Sequence, residues 1–311
     1  MPAAEAFTDP EAAVAAAFPG ARPPDRSRTV LSSGLRLAVN EWGPEDGRAL
    51  LLAHGGFDFS RTFDVFAPLL AAEGWRVVSW DQRGHGDSDR AALYNWDADV
   101  RDALAVLDSF AREPVPVIGH SKGGGLMLAL CQACPHRVSK LVNLDGLPSR
   151  RPQPDVTDRE RRRLLAADLG AWLDRRRKAA DSVRKPGTID ELARRRARMN
   201  PRLEMDWLRY LVVAGGLHDG DGWRWKIDPA LRLGGFGPWR PEWSLERLAG
   251  VGVPVLGLLG LVPEMMGWGT TPSDVEPYLP PGAIFVPMED TGHFVHIERP
   301  QEVAARTLEF L

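Results

Sequence analysis

Short apolar runs rich in β-branched residues alternate along much of the chain with segments whose apolar positions recur every three or four residues. The runs indicate strands buried on both faces, and the recurring positions indicate helices that pack on a sheet. The predicted strands are residues 28–31, 35–42, 49–53, 75–80, 114–118, 140–144, 253–259 and 283–286. The predicted helices include residues 60–72, 98–110, 126–133 and 301–310. We therefore expect an α/β fold with a mostly parallel, doubly wound sheet of about eight strands.

This alternation is interrupted between residues 148 and 243. There the chain is rich in arginine and shows helical spacing without a predicted strand. We interpret residues 148–243 as a helical lid inserted after the sixth strand of a single core domain, which residues 1–147 and 244–311 form. The arginines are typical of solvated helix faces, and they are equally compatible with a face for a partner or an anionic substrate.

The composition argues against several classes of protein. A net charge of −3 over 311 residues argues against a nucleic-acid binder, and no run of about 18 apolar residues exists to span a membrane. Cys131 and Cys134 stand a turn apart on a predicted helix with no second pair, which favours helix packing over a zinc site. Residues 1–24 lack the basic start and long apolar core of a secretory signal, so we expect a cytoplasmic protein. The oligomeric state is not indicated.

A candidate nucleophile follows the predicted strand at residues 114–118. This strand ends at Gly119, and Ser121, Gly123 and a predicted helix come next. A G-x-S-x-G motif indicates a nucleophilic serine when it lies between a strand and a helix, because the sharp turn there exposes the serine hydroxyl at the carboxyl end of the strand. The strained backbone of such a turn requires residues without bulk on either side of the serine. Ser121 is therefore the predicted nucleophile.

A serine hydroxyl is a poor nucleophile near neutral pH, so a general base must accept its proton. Of the seven histidines, His293 follows a predicted strand and precedes the last helix. Gly292 before it allows the loop to cross the strand ends toward Ser121. We predict His293 as the base and His296 as a structural residue.

The oxyanion formed by attack on a carbonyl group needs two hydrogen-bond donors. The backbone N–H of Lys122 lies at the start of the helix after the predicted nucleophile and is one of them. The loop after the strand at residues 49–53 is expected to supply the other, because its glycines allow a close approach of the backbone. Gly56 is the first choice there, and Phe57 is the second.

Four motifs occur in order at the ends of predicted strands. They are His54-Gly55-Gly56, Asp81-Gln82-Arg83-Gly84-His85-Gly86-Asp87-Ser88, Gly119-His120-Ser121-Lys122-Gly123 and Gly292-His293-Phe294-Val295-His296-Ile297-Glu298-Arg299-Pro300. Together they resemble the α/β-hydrolase superfamily over nearly the whole chain except the lid, with most similarity to its lidded, cofactor-free group of small esterases and carbon–carbon bond hydrolases. The resemblance implies a hydrolase without metal or organic cofactors. A serine at position 121 argues against dehalogenases and epoxide hydrolases, which use an aspartate there.

The resemblance also implies a carboxylate that orients His293, and the position of this residue is irregular. The superfamily usually places it three residues beyond the glycine that ends the seventh strand. Pro263 stands there in this chain, and Glu264 follows one residue later. Some members carry the acid at the end of the sixth strand, which corresponds to Asp145. We predict Glu264, because its longer side chain can make up for the later start, and Asp145 is the alternative.

Aromatic residues crowd the predicted lid and the loop near the seventh strand. Trp223, Trp239, Met265 and Trp268 are predicted to line an apolar acyl or aryl pocket for a small-molecule substrate. We therefore predict a serine hydrolase that cleaves an ester, or a related acyl bond, of a small, mainly apolar substrate through an acyl-enzyme on Ser121. The alternatives are a ligand-binding protein of the same fold with little turnover and a carbon–carbon bond hydrolase.

Overall fold

Ten β-strands form in the part of the chain that the computed structural model describes, which is residues 10–147, 158–179, 182–231, 245, 247–267 and 269–311. In chain order they are β1 (Arg26–Ser32), β2 (Leu35–Trp42), β3 (Arg48–Ala53), β4 (Trp75–Trp80), β5 (Val115–His120), β6 (Val138–Leu144), β7 (Gly216–Asp219), β8 (Gly222–Trp225), β9 (Val255–Gly260) and β10 (Ile284–Met288). Eight of these strands join in one sheet, and β7 and β8 form a separate hairpin.

The large sheet has the strand order β1-β2-β4-β3-β5-β6-β9-β10. β2 is antiparallel to both of its neighbours, β1 and β4, whereas every neighbouring pair from β4 to β10 is parallel. The prediction of a mostly parallel α/β sheet of about eight strands is confirmed. Because β3, β5, β6, β9 and β10 run in one direction, the loops that follow them meet at one edge of the sheet.

Helices cover both faces of the sheet. The α-helices among the described residues are, in chain order, α1 (Pro10–Ala15), α2 (Phe66–Ala71), α3 (Trp96–Asp108), α4 (Lys122–Ala133), α5 (Asp158–Ala179), α6 (Ile189–Ala197), α7 (Met205–Gly215), α8 (Pro272–Val275), α9 (Val295–Glu298) and α10 (Pro300–Phe310). Leu51 of β3 belongs to the same buried cluster as Leu107 of α3. Its neighbour Leu50 belongs to the cluster of Phe66 in α2 and Val303 in α10. Successive strand residues thus face opposite helix layers, as a strand buried on both faces requires.

The segment between β6 and β9 contains α5, α6 and α7 together with the β7–β8 hairpin. The expectation that this segment has no strand is therefore wrong. Each of the two strands has only four residues, too few to reveal an alternating pattern, and Gly222 with φ of +125° lets the chain reverse between them. The predicted lid boundaries adjoin residues outside the described ranges, so the extent of the lid stays a prediction.

Main-chain contacts join this segment to the loop after β4. The N–H of Asp228 donates a hydrogen bond to the carbonyl of Gly84 at 2.8 Å, and His85 pairs with Ile227 in an isolated bridge. The hydroxyl of Tyr94 donates to the carboxylate of Asp228 at 2.5 Å. The segment is thereby attached to the edge of the sheet at which β4 ends.

Candidate active site

Ser121 occupies a strained turn between β5 and α4. Its backbone has φ of 52° and ψ of −121°, a region that costs a residue other than glycine conformational energy. A side chain at Gly119 would lie 2.2 Å from the carbonyl oxygen of Gly123, and one at Gly123 would lie 2.2 Å from that of Ala53. Only glycines fit at these two positions, so the local sequence produces the sharp turn. The Ser121 N–H donates to the carbonyl of Leu144 in β6 at 3.0 Å, which fixes the turn against the neighbouring strand.

The ring of His293 is held by Asp145. His293 Nδ1 lies 2.5 Å from Asp145 Oδ2, and both side chains are almost completely buried. Asp145 directly follows β6 and is itself fixed by β9: its N–H donates to the carbonyl of Leu258, and its Oδ1 accepts from the N–H of Gly260 at 3.0 Å. The carboxylate therefore orients the imidazole, with Nδ1 as donor and Nε2 turned away from the acid.

The loop that carries His293 lies directly over the end of β9. A side chain at Gly260 would lie 2.1 Å from the carbonyl oxygen of Gly292, so the two backbones approach as closely as glycine allows. This approach brings a residue that follows β10 across β9 to the end of β6, where Asp145 stands. Gly260 served in the sequence only as the reference point for locating the acid, so its close approach to Gly292 was not predicted.

Glu264 contacts the backbone of His293 and not its ring. Its Oε2 accepts a hydrogen bond from the His293 N–H at 2.7 Å. Partial burial raises the pKa of this carboxyl group. The structure thus corrects the preference for Glu264 as the partner of the ring. The side chain of Glu264, one residue after Pro263, reaches only the main chain of the loop that carries His293. The backbone of Asp145 lies close enough for its short side chain to contact the ring.

The loop after β3 lies against the nucleophile turn. A side chain at Gly55 would lie 3.2 Å from Ser121 Cβ. The N–H of Phe57 already donates to His85 Nε2 at 3.2 Å, whereas the N–H of Gly56 has no acceptor in the described part of the chain. Burial lowers the pKa of His85 to about 3, so its ring is neutral and able to accept this bond. Of the two predicted donors in this loop, Gly56 is therefore the one whose N–H is not bonded to another of the described residues.

The other predicted donor, Lys122, is the first residue of α4. Its N–H is one of the helix N-terminal groups that have no partner within the helix. Its ammonium group turns away and donates to Gln82 Oε1 at 2.6 Å and to Asp99 Oδ2 at 2.7 Å. Gln82 in turn donates through its N–H to His54 Nε2 at 2.9 Å, and the other ring nitrogen of His54 donates to the carbonyl of Gly55. This network links the loop after β3, which we call the oxyanion loop for its predicted role, to the helix that follows Ser121.

Two further histidines surround His293 and remain neutral. His120 Nε2 donates to the carbonyl of His293 at 2.9 Å, and burial holds the pKa of His120 well below its usual value. The ring of His296 is completely buried, with its centroid 5.2 Å from that of Phe63, and burial lowers its pKa to about 3. Both residues pack beside His293, the predicted base, and neither is placed in a hydrogen bond with Ser121.

The predicted pocket residues are described only in part. Trp223 lies in β8, is 7% exposed and packs within the segment between β6 and β9, in one cluster with Trp207. Met265 follows β9, beside Glu264, and is 75% exposed. Trp239 and Trp268 lie outside the described residues.

No helix in the described ranges combines the length and apolar character needed to cross a membrane. Among the same residues, no three histidine, cysteine, aspartate or glutamate side chains are grouped as ligands for a metal ion.

Cys131 is buried in the core beside α3, and burial raises the pKa of its thiol to about 12.

Comparison with curated proteins gives relatives with hydrolase and synthase names. A serine hydrolase-like protein of Dictyostelium discoideum is 32% identical over 120 residues, which are 37% of this chain and 33% of that protein. The chain therefore matches only about a third of that relative's length. A putative 2-succinyl-6-hydroxy-2,4-cyclohexadiene-1-carboxylate synthase of Bacillus subtilis is 28% identical over 288 residues, which are 90% of this chain and 96% of that protein.

The fold is found in solved structures, and a family model covers most of the sequence. The thioesterase domain from the curacin biosynthetic pathway superimposes with a TM-score of 0.77 at 22% identity, over 91% of this chain and 99% of that domain. The model of the alpha/beta hydrolase family matches residues 50–306, a range that includes Ser121, Asp145 and His293. The chain therefore belongs to the alpha/beta hydrolase family.

Proposed function

We propose that this chain is a serine hydrolase that cleaves an ester, or a related acyl bond, of a small, mainly apolar substrate through an acyl-enzyme on Ser121. The observation that carries the proposal is the contact of 2.5 Å between His293 Nδ1 and Asp145 Oδ2 at the same sheet edge as the strained Ser121 turn. A carboxylate in this position selects the ring tautomer that accepts a proton at Nε2, and it stabilises the imidazolium that forms.

The reaction begins when His293 Nε2 accepts the proton of the Ser121 hydroxyl. The oxygen attacks the carbonyl carbon, and the electrons of the carbonyl double bond move to its oxygen. Collapse of this intermediate breaks the bond to the alkoxide leaving group, which takes the proton back from His293. A water molecule, deprotonated by His293, then attacks the carbonyl carbon of the acyl-enzyme in the same way. The bond to Ser121 breaks, Ser121 regains its proton from His293, and the acid is released. No hydrogen bond joins Ser121 to His293 in the structure, and such contacts often tighten only when substrate binds.

The N–H groups of Gly56 and Lys122 are the proposed donors to the oxyanion. The N–H of Gly56 has no acceptor among the described residues, and Lys122 stands at the start of a helix; both facts support this assignment. Phe57, the second choice from the sequence, is less suitable because its N–H is bonded to His85. Donors that are already in place stabilise the developing charge without reorganisation during the reaction.

The segment between β6 and β9 is the proposed lid over this edge of the sheet. Its contacts with the loop after β4 support this position. We propose that Trp223, Trp239, Met265 and Trp268 contribute apolar surface toward the acyl or leaving group. The mechanism uses only side chains and backbone groups of the chain, and the substrate is a small molecule.

Two alternatives can be distinguished by experiment. A ligand-binding protein with little turnover would hydrolyse no ester, and the contact of Asp145 with the ring of His293 argues for turnover instead. A carbon–carbon bond hydrolase would use the same residues on a β-diketone.

The test is a panel of p-nitrophenyl esters with short to long acyl chains, together with a β-diketone. Wild-type protein should hydrolyse at least one ester, and Ser121→Ala should lower kcat by about 10⁴-fold or more. Ser182→Ala is the matched control. The Ser182 hydroxyl donates to the carbonyl of Lys178 in α5, so this variant should keep the wild-type rate. Turnover of the β-diketone alone would favour the carbon–carbon bond hydrolase. Ester hydrolysis that survives Ser121→Ala would contradict the proposal.

A further inference from the structure

Arg196 lies on α6, outside the strands that carry the candidate active site, yet its side chain reaches the oxyanion loop. Its Nη1 donates a hydrogen bond to the carbonyl of Phe57 at 2.9 Å. Its Nη2 lies 4.0 Å from Asp58 Oδ1, and only 11% of its side chain is exposed. The guanidinium also lies over the ring of Phe294, 5.7 Å from its centroid. One buried cation thus touches both the loop after β3 and the residue that follows His293.

Phe57 is the residue whose conformation needs this support. Its φ is +57°, a region that a bulky residue adopts only when its surroundings hold it there. His85 accepts from its N–H, and Arg196 donates to its carbonyl. With both of its backbone polar groups held, rotation about the two backbone bonds of Phe57 is restricted. The direction of the chain at the neighbouring Gly56 follows from this restriction.

We propose that Arg196 is a positioning residue through which α6 holds the oxyanion loop in its reactive conformation. This inference rests on the proposed function, because it assigns a consequence to the N–H of Gly56. A misplaced donor weakens the stabilisation of the transition state more than the binding of substrate. Loss of Arg196 therefore lowers kcat and leaves KM nearly unchanged, whereas general loosening of the fold would affect both.

The test uses a fluorophosphonate probe, whose phosphoryl oxygen takes the place of the oxyanion when Ser121 is labelled. Arg196→Met keeps the apolar stem beside Phe294 and removes every donor. It should label Ser121 at a rate lower by about 10- to 100-fold, as small misplacements at an active site do. Arg196→Lys, which restores a charge and a donor, should recover part of the rate. Arg194→Ala is the matched control, since Arg194 lies on the same helix, 65% exposed, and pairs with Asp190.

The outcomes separate this inference from the proposed function. A wild-type protein that does not react with the probe overturns both. A wild-type protein labelled at Ser121 with Arg196→Met labelled at the same rate overturns the role of Arg196 alone. If Arg196→Met does not fold, Arg196→Gln, which removes the charge and shortens the side chain, decides: a reduced rate with an unchanged KM for an ester supports the role, and a wild-type rate overturns it.

Discussion

His293 Nδ1 lies 2.5 Å from Asp145 Oδ2, although 148 residues separate the two in the chain. Asp145 follows β6, His293 follows β10, and β9 lies between these strands in the sheet. The pair forms because the loop of His293 crosses the end of β9, where Gly260 leaves room for it. The acid that orients the ring therefore comes from the sixth strand of the chain and not from the loop after the ninth.

Substitution of the two carboxylates should have unequal effects on turnover. Asp145→Asn leaves the ring of His293 without its anionic acceptor, so kcat should fall by about 10³- to 10⁴-fold. Glu264→Gln keeps an amide oxygen that can accept the His293 N–H, so its effect should be far smaller. Steady-state kinetics on the best ester of the panel measure both. A larger loss in Glu264→Gln would restore the original preference for that residue.

The two histidines near the last helices should also differ. His293→Ala removes the base and should lower kcat by about 10⁴-fold or more without unfolding the protein. His296→Leu replaces a buried, neutral ring that packs against Phe63, so it should keep most of the activity. Circular dichroism establishes folding, and ester hydrolysis establishes the ranking. The opposite ranking would mean that the base is assigned to the wrong histidine.

The buried ring of His296 should make the protein sensitive to acid. Its pKa is lowered from 6.5 to about 3 in the folded protein. Between these two values the unfolded state binds one more proton, so the free energy of unfolding falls as the pH falls, by about 1.4 kcal/mol per pH unit for this group. Urea unfolding of His296→Leu should therefore show a shallower loss of stability from pH 6 to pH 4 than wild type. Equal slopes would contradict a neutral buried ring.

The close approach at the end of β9 can be tested with a single methyl group. In Gly260→Ala the new carbon would lie 2.1 Å from the carbonyl of Gly292, so the loop must move. His293 then shifts relative to Asp145, and kcat should fall by about 100-fold or more. Gly252→Ala is the control, because nothing lies within 4 Å of the added carbon there. Similar kinetics for the two variants would show that the loop tolerates the displacement.

The strand–turn–helix setting of Ser121 could be predicted because it is local: an apolar run, two glycines without room for side chains and a helix follow one another in the sequence. The sequence could not show in this way which of the two carboxylates, Glu264 or Asp145, contacts the ring of His293. Its identity depends on the path of a loop over a neighbouring strand, which is set by the contact between Gly260 and Gly292. The β7–β8 hairpin was missed for a different reason, because its strands are too short to carry a periodic signal. The contact of Arg196 with Phe57 joins residues 139 positions apart and has no sequence signature.

The central claim is that Ser121 is an activated nucleophile, and the most direct measurement is the mass of the protein after reaction with a fluorophosphonate probe. Such a probe reacts with an activated serine and requires no knowledge of the substrate. Folded wild-type protein should gain one adduct, peptide mapping should place it on Ser121, and both Ser121→Ala and heat-denatured wild type should remain unlabelled. An adduct that persists in Ser121→Ala, or a folded wild-type protein that gains none, would contradict the account.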